Sequence, residues 1–345
     1  MDRKQHILAR IDPATQHGLE IGALCRPIVP LSAGRIEYVD HLSTEDLRRK
    51  YAADPNVAVD QLVPVSYVWG ASTLPEAVGD QRFDYVIASH VVEHVPDPIG
   101  WFHEIAAVLK PGGVLSLVIP DKRWTFDCRR EATSVAAMIE SYFEGHRRPT
   151  IRHFVDHFGE VAAVPGPVTT PDLWQGKVSF HEIPLAHPEF FESFGEAGLR
   201  AHFDAFRKGA YQDAHCSVFT PYSFMRILAV LARLGLIEFR VANFEDTPTG
   251  DIEFFVTLEK VAEKFDIAGR AKAILASLPQ ISAPLLDGEI LALRAAGEPA
   301  ALRGAESGPE RTASLEAELR AMRSSTSWRI TAPMRALKRW LAAKR

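Results

Sequence analysis

Residues 83–95 read FDYVIASHVVEHV, Phe83 through Val95, and the way this stretch folds decides the reading of the rest of the chain. Phe83 to Ser89 is apolar at both odd and even positions, as a strand covered on both faces requires. The next five residues, His90-Val91-Val92-Glu93-His94, have the H-x-x-E-H spacing of the inverted zinc peptidases. On a helix His90 and His94 would stand one turn apart, where two imidazoles could grip one metal ion. Pro96 and Pro98 break a helix soon after His94, and no downstream glutamate ligand is evident. The zinc reading is therefore a remote alternative, and no metal ligands are expected. The stretch reads instead as a buried strand handing polar side chains to a loop.

The neighbouring segments repeat that alternation. HGLEIGAL is a short buried strand ending in a turn, and RIEYVDHL is a second strand ending in an acid. STEDLRRKYA follows as a helix capped by Ser43 or Thr44. PVSYVWGA supplies a third strand and FDYVIAS the fourth. DPIGWFHEIAAVLK has helical spacing of Ile99, Phe102, Ile105 and Leu109, and stops at Lys110-Pro111-Gly112-Gly113, a basic turn followed by breakers. GGVLSLVIP is the fifth strand. TPYSFMRILAVLARLGL is an amphipathic helix with Thr220 as cap and Pro221 in its first turn. IEFRVANFEDTPTGDIEFFVTLEK folds back as two strands around Thr-Pro-Thr-Gly. Strands alternating with helices predict an α/β fold: a doubly wound, mostly parallel sheet with an antiparallel final hairpin.

Residues 1–260 then form one Rossmann-like domain, with 127–218 as a helical cap inserted over the strand ends, too long for a plain connection. The insertion is rich in histidine and aromatics, but its histidine spacings match no compact ligand set. Its aromatics Phe154, Phe158, Trp174, Phe190 and Phe191 suit packing or stacking on a flat ligand. Residues 261–312 read as a helix and linker. Residues 313–345 read as a basic amphipathic C-terminal helical tail, with eight Lys or Arg and no acid from Arg320 onward, and with Trp328 and Trp340 interspersed. Such a tail suits an anionic membrane surface or a partner protein.

Bulk properties bound the function. The chain has 345 residues, 47% hydrophobic and 24% charged, the balance of a globular protein. A net charge of −5 argues against general nucleic-acid binding. Cys25, Cys128 and Cys216 are odd in number and scattered, which fits a reducing compartment. The N-terminus lacks a signal-peptide apolar core, and no run approaches the roughly 18 apolar residues of a membrane span. A cytoplasmic protein is expected, with peripheral contact to the inner face of the membrane through the tail.

The ends of the strands are where ligands bind in such sheets. Gly22 follows the first strand and lets backbone approach a ligand. Asp40 ends the second strand, eighteen residues later, at the distance from which a carboxylate reaches ribose hydroxyls. GLEIGA, YVD, FDYVIASHVVEHVPDP and LKPGGVLSLVIPD, in this order, resemble the Rossmann-like, class I S-adenosylmethionine-dependent methyltransferases, type-11-like, over roughly residues 15–125. That resemblance implies S-adenosyl-L-methionine as cofactor. It implies that Glu20 and Gly22 shape the loop around its methionine moiety and that Asp40 holds its ribose. Ala71 and Ser72 would lie near adenine, and Ser89 and His90 would border the methyl group. The family usually has a second glycine where this chain has Leu24, and often an acid where it has WGASTL.

Methyl transfer to a hydroxyl needs a base, and His90, His94 and Asp121 are the catalytic candidates. SSTSWRITAPMRALKRW resembles a tail of bacterial surface-polysaccharide glycosyltransferases and their companion enzymes. It implies a small-molecule or glycan acceptor, with a saccharide hydroxyl favoured, and contact with a glycosyltransferase or membrane. A non-catalytic binding or scaffold protein on the same fold is the main alternative. A nicotinamide dehydrogenase is weaker, because the full G-x-G-x-x-G is missing.

Overall fold

The computed structural model describes residues 2–70, 72–166, 168–178, 182–208, 213–262 and 266–279. Seven strands form one sheet: β1 (His17–Ile21), β2 (Arg35–Asp40), β3 (Tyr67–Val68), β4 (Phe83–Ser89), β5 (Leu109–Pro120), β6 (Phe239–Glu245) and β7 (Glu253–Lys260). Their order is β3-β2-β1-β4-β5-β7-β6. The first five strands pair in parallel, and β7 runs antiparallel to both β5 and β6. Chain order reverses between β1 and β4, the switch point at which such sheets open a crevice.

β4 shows why the apolar run had to be a central strand. Val86 and Ala88 enter the larger core with Leu117, Phe224 and Leu228. Tyr85 and Ile87 face the other way, into a second core with Ile7, Tyr38 and Phe255. Both sets are fully covered, so neither face of the strand tolerates a polar residue.

Helices cover the sheet: α1 (Arg3–Ile7), α2 (Thr44–Lys50), α3 (Leu74–Val78) and α4 (Pro98–Val108), then α5 (Val135–Glu144), α6 (Ile151–Glu160), α7 (Thr170–Trp174) and α8 (Glu189–Arg207), and finally α9 (Pro221–Leu234) and α10 (Ile267–Ser277). The local signals explain their starts. Ser43 caps α2, accepting the Asp46 N–H, and Thr220 caps α9 with Pro221 in the first turn. Asp2 caps α1 in a reciprocal capping box with Gln5, a short helix the sequence reading left out. Its carbonyl at Ile7 accepts the buried Ser116 hydroxyl at 2.7 Å, which ties the N-terminus to β5.

Between β5 and α9, α5 to α8 form the inserted helical segment. Trp124 stacks on Trp174 with ring centroids 3.9 Å apart, inside a small core of its own that includes Cys128, Leu173 and Ile183. Phe154 is also buried, so these rings are spent on packing.

Two expectations change, and the reading of His90 to His94 as a loop holds. The third strand shrinks to Tyr67–Val68, because it lies at the sheet edge with a partner on one side only. α4 ends at Val108, and Lys110-Pro111-Gly112-Gly113 already belongs to β5. Lys110 Nζ meets both Asp84 oxygens at 2.8 and 2.9 Å there, and Gly112 takes a φ of +75° at an irregularity in the β4–β5 register. His90 to His94 is not α-helical: His90 has a φ of +54°, and Val92–His94 is a single 3-10 turn. The two histidines therefore do not share a helix face. The linker from residue 280 and the tail 313–345 lie outside the described residues.

Candidate functional site

The switch point between β1 and β4 opens as a cleft of about 400 Å³, lined by Gly22, Leu24, Asp40, His90 and His94 among others. An adjoining cleft of about 370 Å³ shares Gly22 and Leu24 and is bordered by Glu20, Ser89 and Arg3. Both volumes are within the range of small-molecule sites.

The loop after β1 forms the wall between them. Gly22 sits at φ +67°, and a side chain there would point into open space, with Val91 Cγ2 as nearest neighbour at 3.8 Å from an added Cβ. Leu24 takes φ +47°. It adopts the left-handed turn that glycine takes without cost, at a strain of about 1–2 kcal/mol. The loop keeps its shape although the second glycine is absent.

Glu20 is what holds that loop. Its carboxylate is 3% exposed and accepts the Ile28 N–H at 2.7 Å and the Val29 N–H at 3.1 Å. Tyr38 adds its hydroxyl to the Val29 carbonyl at 2.8 Å. Burial pushes the Glu20 pKa up to about 7, against the two backbone donors that favour the charged form. Asp40 is also buried, and its Oδ1 accepts from the N–H of His41 at 2.7 Å and meets the ring Nδ1 of His41 at 2.5 Å. Among the described residues no group bonds Oδ2, which leaves that oxygen to a ligand.

On the opposite side of the crevice, His90 leaves β4 with its Nε2 2.6 Å from Glu253 Oε2 at the start of β7. Its Nδ1 lies 3.5 Å from Glu93 Oε1. Burial disfavours the imidazolium, yet the Glu253 and Glu93 carboxylates outweigh it and raise the His90 pKa. Arg3 also bonds Glu253, through Nε at 2.5 Å, and donates to the Ser89 hydroxyl at 2.9 Å. His94 Nδ1 meets Asp213 at 2.9 Å, and its pKa is likewise raised, the carboxylates of Asp213 and Glu93 overcoming burial.

Not every expected residue joins the cleft. Asp121 is fully buried away from it. Arg123 binds its carboxylate through Nε and Nη2, and the Thr247 hydroxyl donates to Oδ2 at 2.7 Å. With its lone pairs taken up as a tie between β5 and the final hairpin, it has no path to an acceptor. Ser72 lines neither cleft; its carbonyl accepts from Arg147 at 3.1 Å. Ala71 lies outside the described residues. Conversely, Trp69, Arg147 and Asp213 line the main cleft, and Glu253 orients His90, without having been singled out in the sequence. Glu253 is 163 residues from His90, a separation no local motif spans.

A family model described as a methyltransferase domain matches residues 39–229. The ubiquinone biosynthesis O-methyltransferase of Bradyrhizobium sp. (strain ORS 278) is 30% identical over 107 residues, 31% of this chain and 39% of that protein. The Paramagnetospirillum magneticum enzyme of the same name is 44% identical over 69 residues, 18% of this chain and 27% of that one. The chain thus spans well under half the length of these curated relatives. Solved structures of S-adenosylmethionine-dependent methyltransferases from Methanosarcina mazei and Mesorhizobium loti are 16% and 13% identical, each with a TM-score of 0.36. They cover 76% and 74% of this chain, and 100% and 95% of their own. Because the family model takes in more than half of the sequence, the chain belongs to the methyltransferase-domain family, whose cofactor is S-adenosylmethionine.

Proposed function

We propose that this protein transfers a methyl group from S-adenosylmethionine to a hydroxyl oxygen of a small polar acceptor, a saccharide of cell-surface polysaccharide assembly being the favoured class. The observation that carries the reading is that Gly22, Asp40 and His90 line one cleft at the switch point of the sheet. The fit to the cofactor is good on the cleft's own terms. Open space beside Gly22 admits a ligand against backbone, and the uncommitted Oδ2 of buried Asp40 suits a ribose diol.

The bound cofactor supplies an electrophilic methyl on a sulfonium, and the chain supplies alignment and a place for a proton. Hydrogen bonding from Nε2–H to Glu253 leaves Nδ1 of His90 to accept the acceptor's proton, with Glu93 Oε1 3.5 Å from that nitrogen to answer the charge it gains. Glu253 is a positioning residue: it fixes the ring and stabilises its charged form. The His90 side chain is 35% exposed, enough to meet an acceptor in the cleft. Asp121 has no part in this step.

Oxygen as the atom methylated draws support from the names of curated relatives that are ubiquinone biosynthesis O-methyltransferases. The saccharide draws support from the polar lining, which includes Asp40, Glu104, Arg147 and Asp213, and from the resemblance of the tail. Calorimetric titration of the protein with S-adenosylhomocysteine tests the cofactor site. Saturable one-to-one binding is expected, with ~2.7 kcal/mol of stabilisation at a hundredfold excess over Kd. Methylation is then followed by mass spectrometry over a panel of nucleotide-linked and free saccharides and phenols. Absence of both heat and thermal shift overturns the reading, and turnover confined to phenols overturns the saccharide.

A further inference from the structure

Behind His90, the structure brings together a buried carboxylate and two histidines. Glu93 is fully buried, and neither of its carboxylate oxygens has a hydrogen-bond partner among the described residues, the ring of His90 standing off at 3.5 Å from Oε1. A buried carboxylate short of hydrogen bonds is a donor that a cation beside it would satisfy. One ligand atom each from Glu93, His94 and His215 lies within 4.8 Å of the other two. His94 and His215 meet edge to face, ring centroids 4.6 Å apart.

We propose that Glu93, His94 and His215 form a binding site for a divalent transition-metal ion of the Zn²⁺ type at the acceptor side of the cleft. Two imidazoles and a carboxylate are a donor set that such ions favour, and three protein ligands leave a position open for an acceptor oxygen. The rings are already oriented for it. His215 Nδ1 is held by Asp127 Oδ2 at 2.6 Å, and His94 Nδ1 by Asp213 at 2.9 Å, so Nε2 of each ring is the atom left to bind a metal. A carboxylate on the far nitrogen is the usual support of a metal-bound histidine.

The two ligand-bearing segments are tied directly, the Ser217 N–H donating to the Glu93 carbonyl at 3.0 Å. Tetrahedral coordination with bonds of about 2.0–2.1 Å places ligand atoms about 3.4 Å apart, so side-chain rotation of about 1 Å closes the set. Glu93 and His215 do not line the cleft, whereas His94 does, which makes the third ligand the door between the ion and the acceptor.

This site deepens the methyltransferase reading and rests on it only for its role, because an ion here would bind and polarise the acceptor hydroxyl. The test uses the full chain freed of metal by chelator and dialysed. Titration with CoCl₂ should give one equivalent with a visible absorption band, displaced by ZnCl₂. Glu93→Gln and His215→Gln should each weaken uptake at least tenfold, while leaving S-adenosylhomocysteine affinity within about twofold. Asp127→Asn, which weakens the support of His215 and also loosens the buried Arg130 pair, should weaken uptake by 10–100-fold. Failure of the wild-type chain to take up Co²⁺ or Zn²⁺ in stoichiometric amount overturns the proposal, as does uptake unchanged in both Glu93→Gln and His215→Gln. S-adenosylhomocysteine binding is scored separately: its loss in wild type sinks the cofactor reading, and its retention with no metal uptake sinks this one alone.

Discussion

Replacing Glu20 by Gln should convert a pH-dependent weakness beneath the cofactor loop into a pH-independent one. In the unfolded chain Glu20 titrates near its ordinary value of 4.5, and in the folded chain at about 7. Between those two values the folded protein holds a proton the unfolded chain has released, so stability falls as pH rises through the window. The contribution is complete below pH 4.5 and gone above pH 7. The whole interval corresponds to about 3 kcal/mol. Gln carries no charge, keeps one acceptor oxygen for the Ile28 and Val29 N–H groups, and presents an amide N–H₂ to the other, a cost of about 1–2 kcal/mol at any pH. At pH 5 the variant is therefore the less stable protein. At pH 8 the order reverses, by about 1–2 kcal/mol. Urea unfolding of both proteins at pH 5, 6, 7 and 8 measures this directly, with the slope against urea as a check that the same surface unfolds. A stability difference that stays constant from pH 5 to pH 8 refutes the reasoning, for then the burial of Glu20 does not govern its proton.

Asp40→Ala should weaken S-adenosylhomocysteine by about 10–100-fold in calorimetry with the thermal transition retained, since a charged acceptor for hydrogen bonds is worth about 1.5–3 kcal/mol; Gly22→Trp should abolish binding by filling the cleft, and unchanged affinity in both variants would remove these residues from the site. Glu253→Gln should lower the His90 pKa, because the carboxylate that favours the imidazolium is gone. The acid limb of the pH–rate profile then moves to lower pH while the maximal rate falls, and an unmoved limb would take His90 out of the proton transfer. Gly18→Ala should destabilise by about 1–3 kcal/mol or more in chemical denaturation, because a Cβ there would stand 2.0 Å from Tyr85 Cζ in the core; a stability equal to wild type would mean that Tyr85 swings aside freely.

What the sequence revealed and what it concealed divide along physical lines. Doubly buried strands such as FDYVIAS and capped helices such as the one opened by Thr220 write themselves into adjacent residues, and both are found where the pattern puts them. The ends of the strands were legible too, since Gly22 and Asp40 are fixed by their distance from an apolar run. Charge partnership was not. Asp121 looked available because it follows β5, yet Arg123 and Thr247 consume its oxygens, and Thr247 comes from a turn 126 residues away. The substitution of Leu24 for a glycine looked like a defect in the loop. The backbone instead takes φ +47° there, because Glu20, eight residues before Ile28, pins the loop from below regardless of what residue 24 prefers.

The H-x-x-E-H match shows the same separation between spacing and environment. A peptidase helix would have put His90 and His94 on one metal, and the left-handed φ of His90 forbids it by turning that ring toward Glu253. The rotation has a second consequence. With His90 Nε2 directed to β7, Glu93 and His94 also come close to His215, which arrives from the end of the helical insertion, 122 residues on from Glu93. One strained residue thus gives the two histidines different carboxylate partners, Glu253 for His90 and Asp213 for His94, while Glu93 Oε1 stays 3.5 Å from His90 Nδ1. Strain of about 1–3 kcal/mol at a single histidine persists when surrounding contacts over-determine it. Here the 2.6 Å contact to Glu253 and the His90 N–H donated to the Val118 carbonyl at 3.0 Å do so. A zinc peptidase would use the two histidines through convergence on one metal, and the left-handed backbone at His90 gives them separate partners instead.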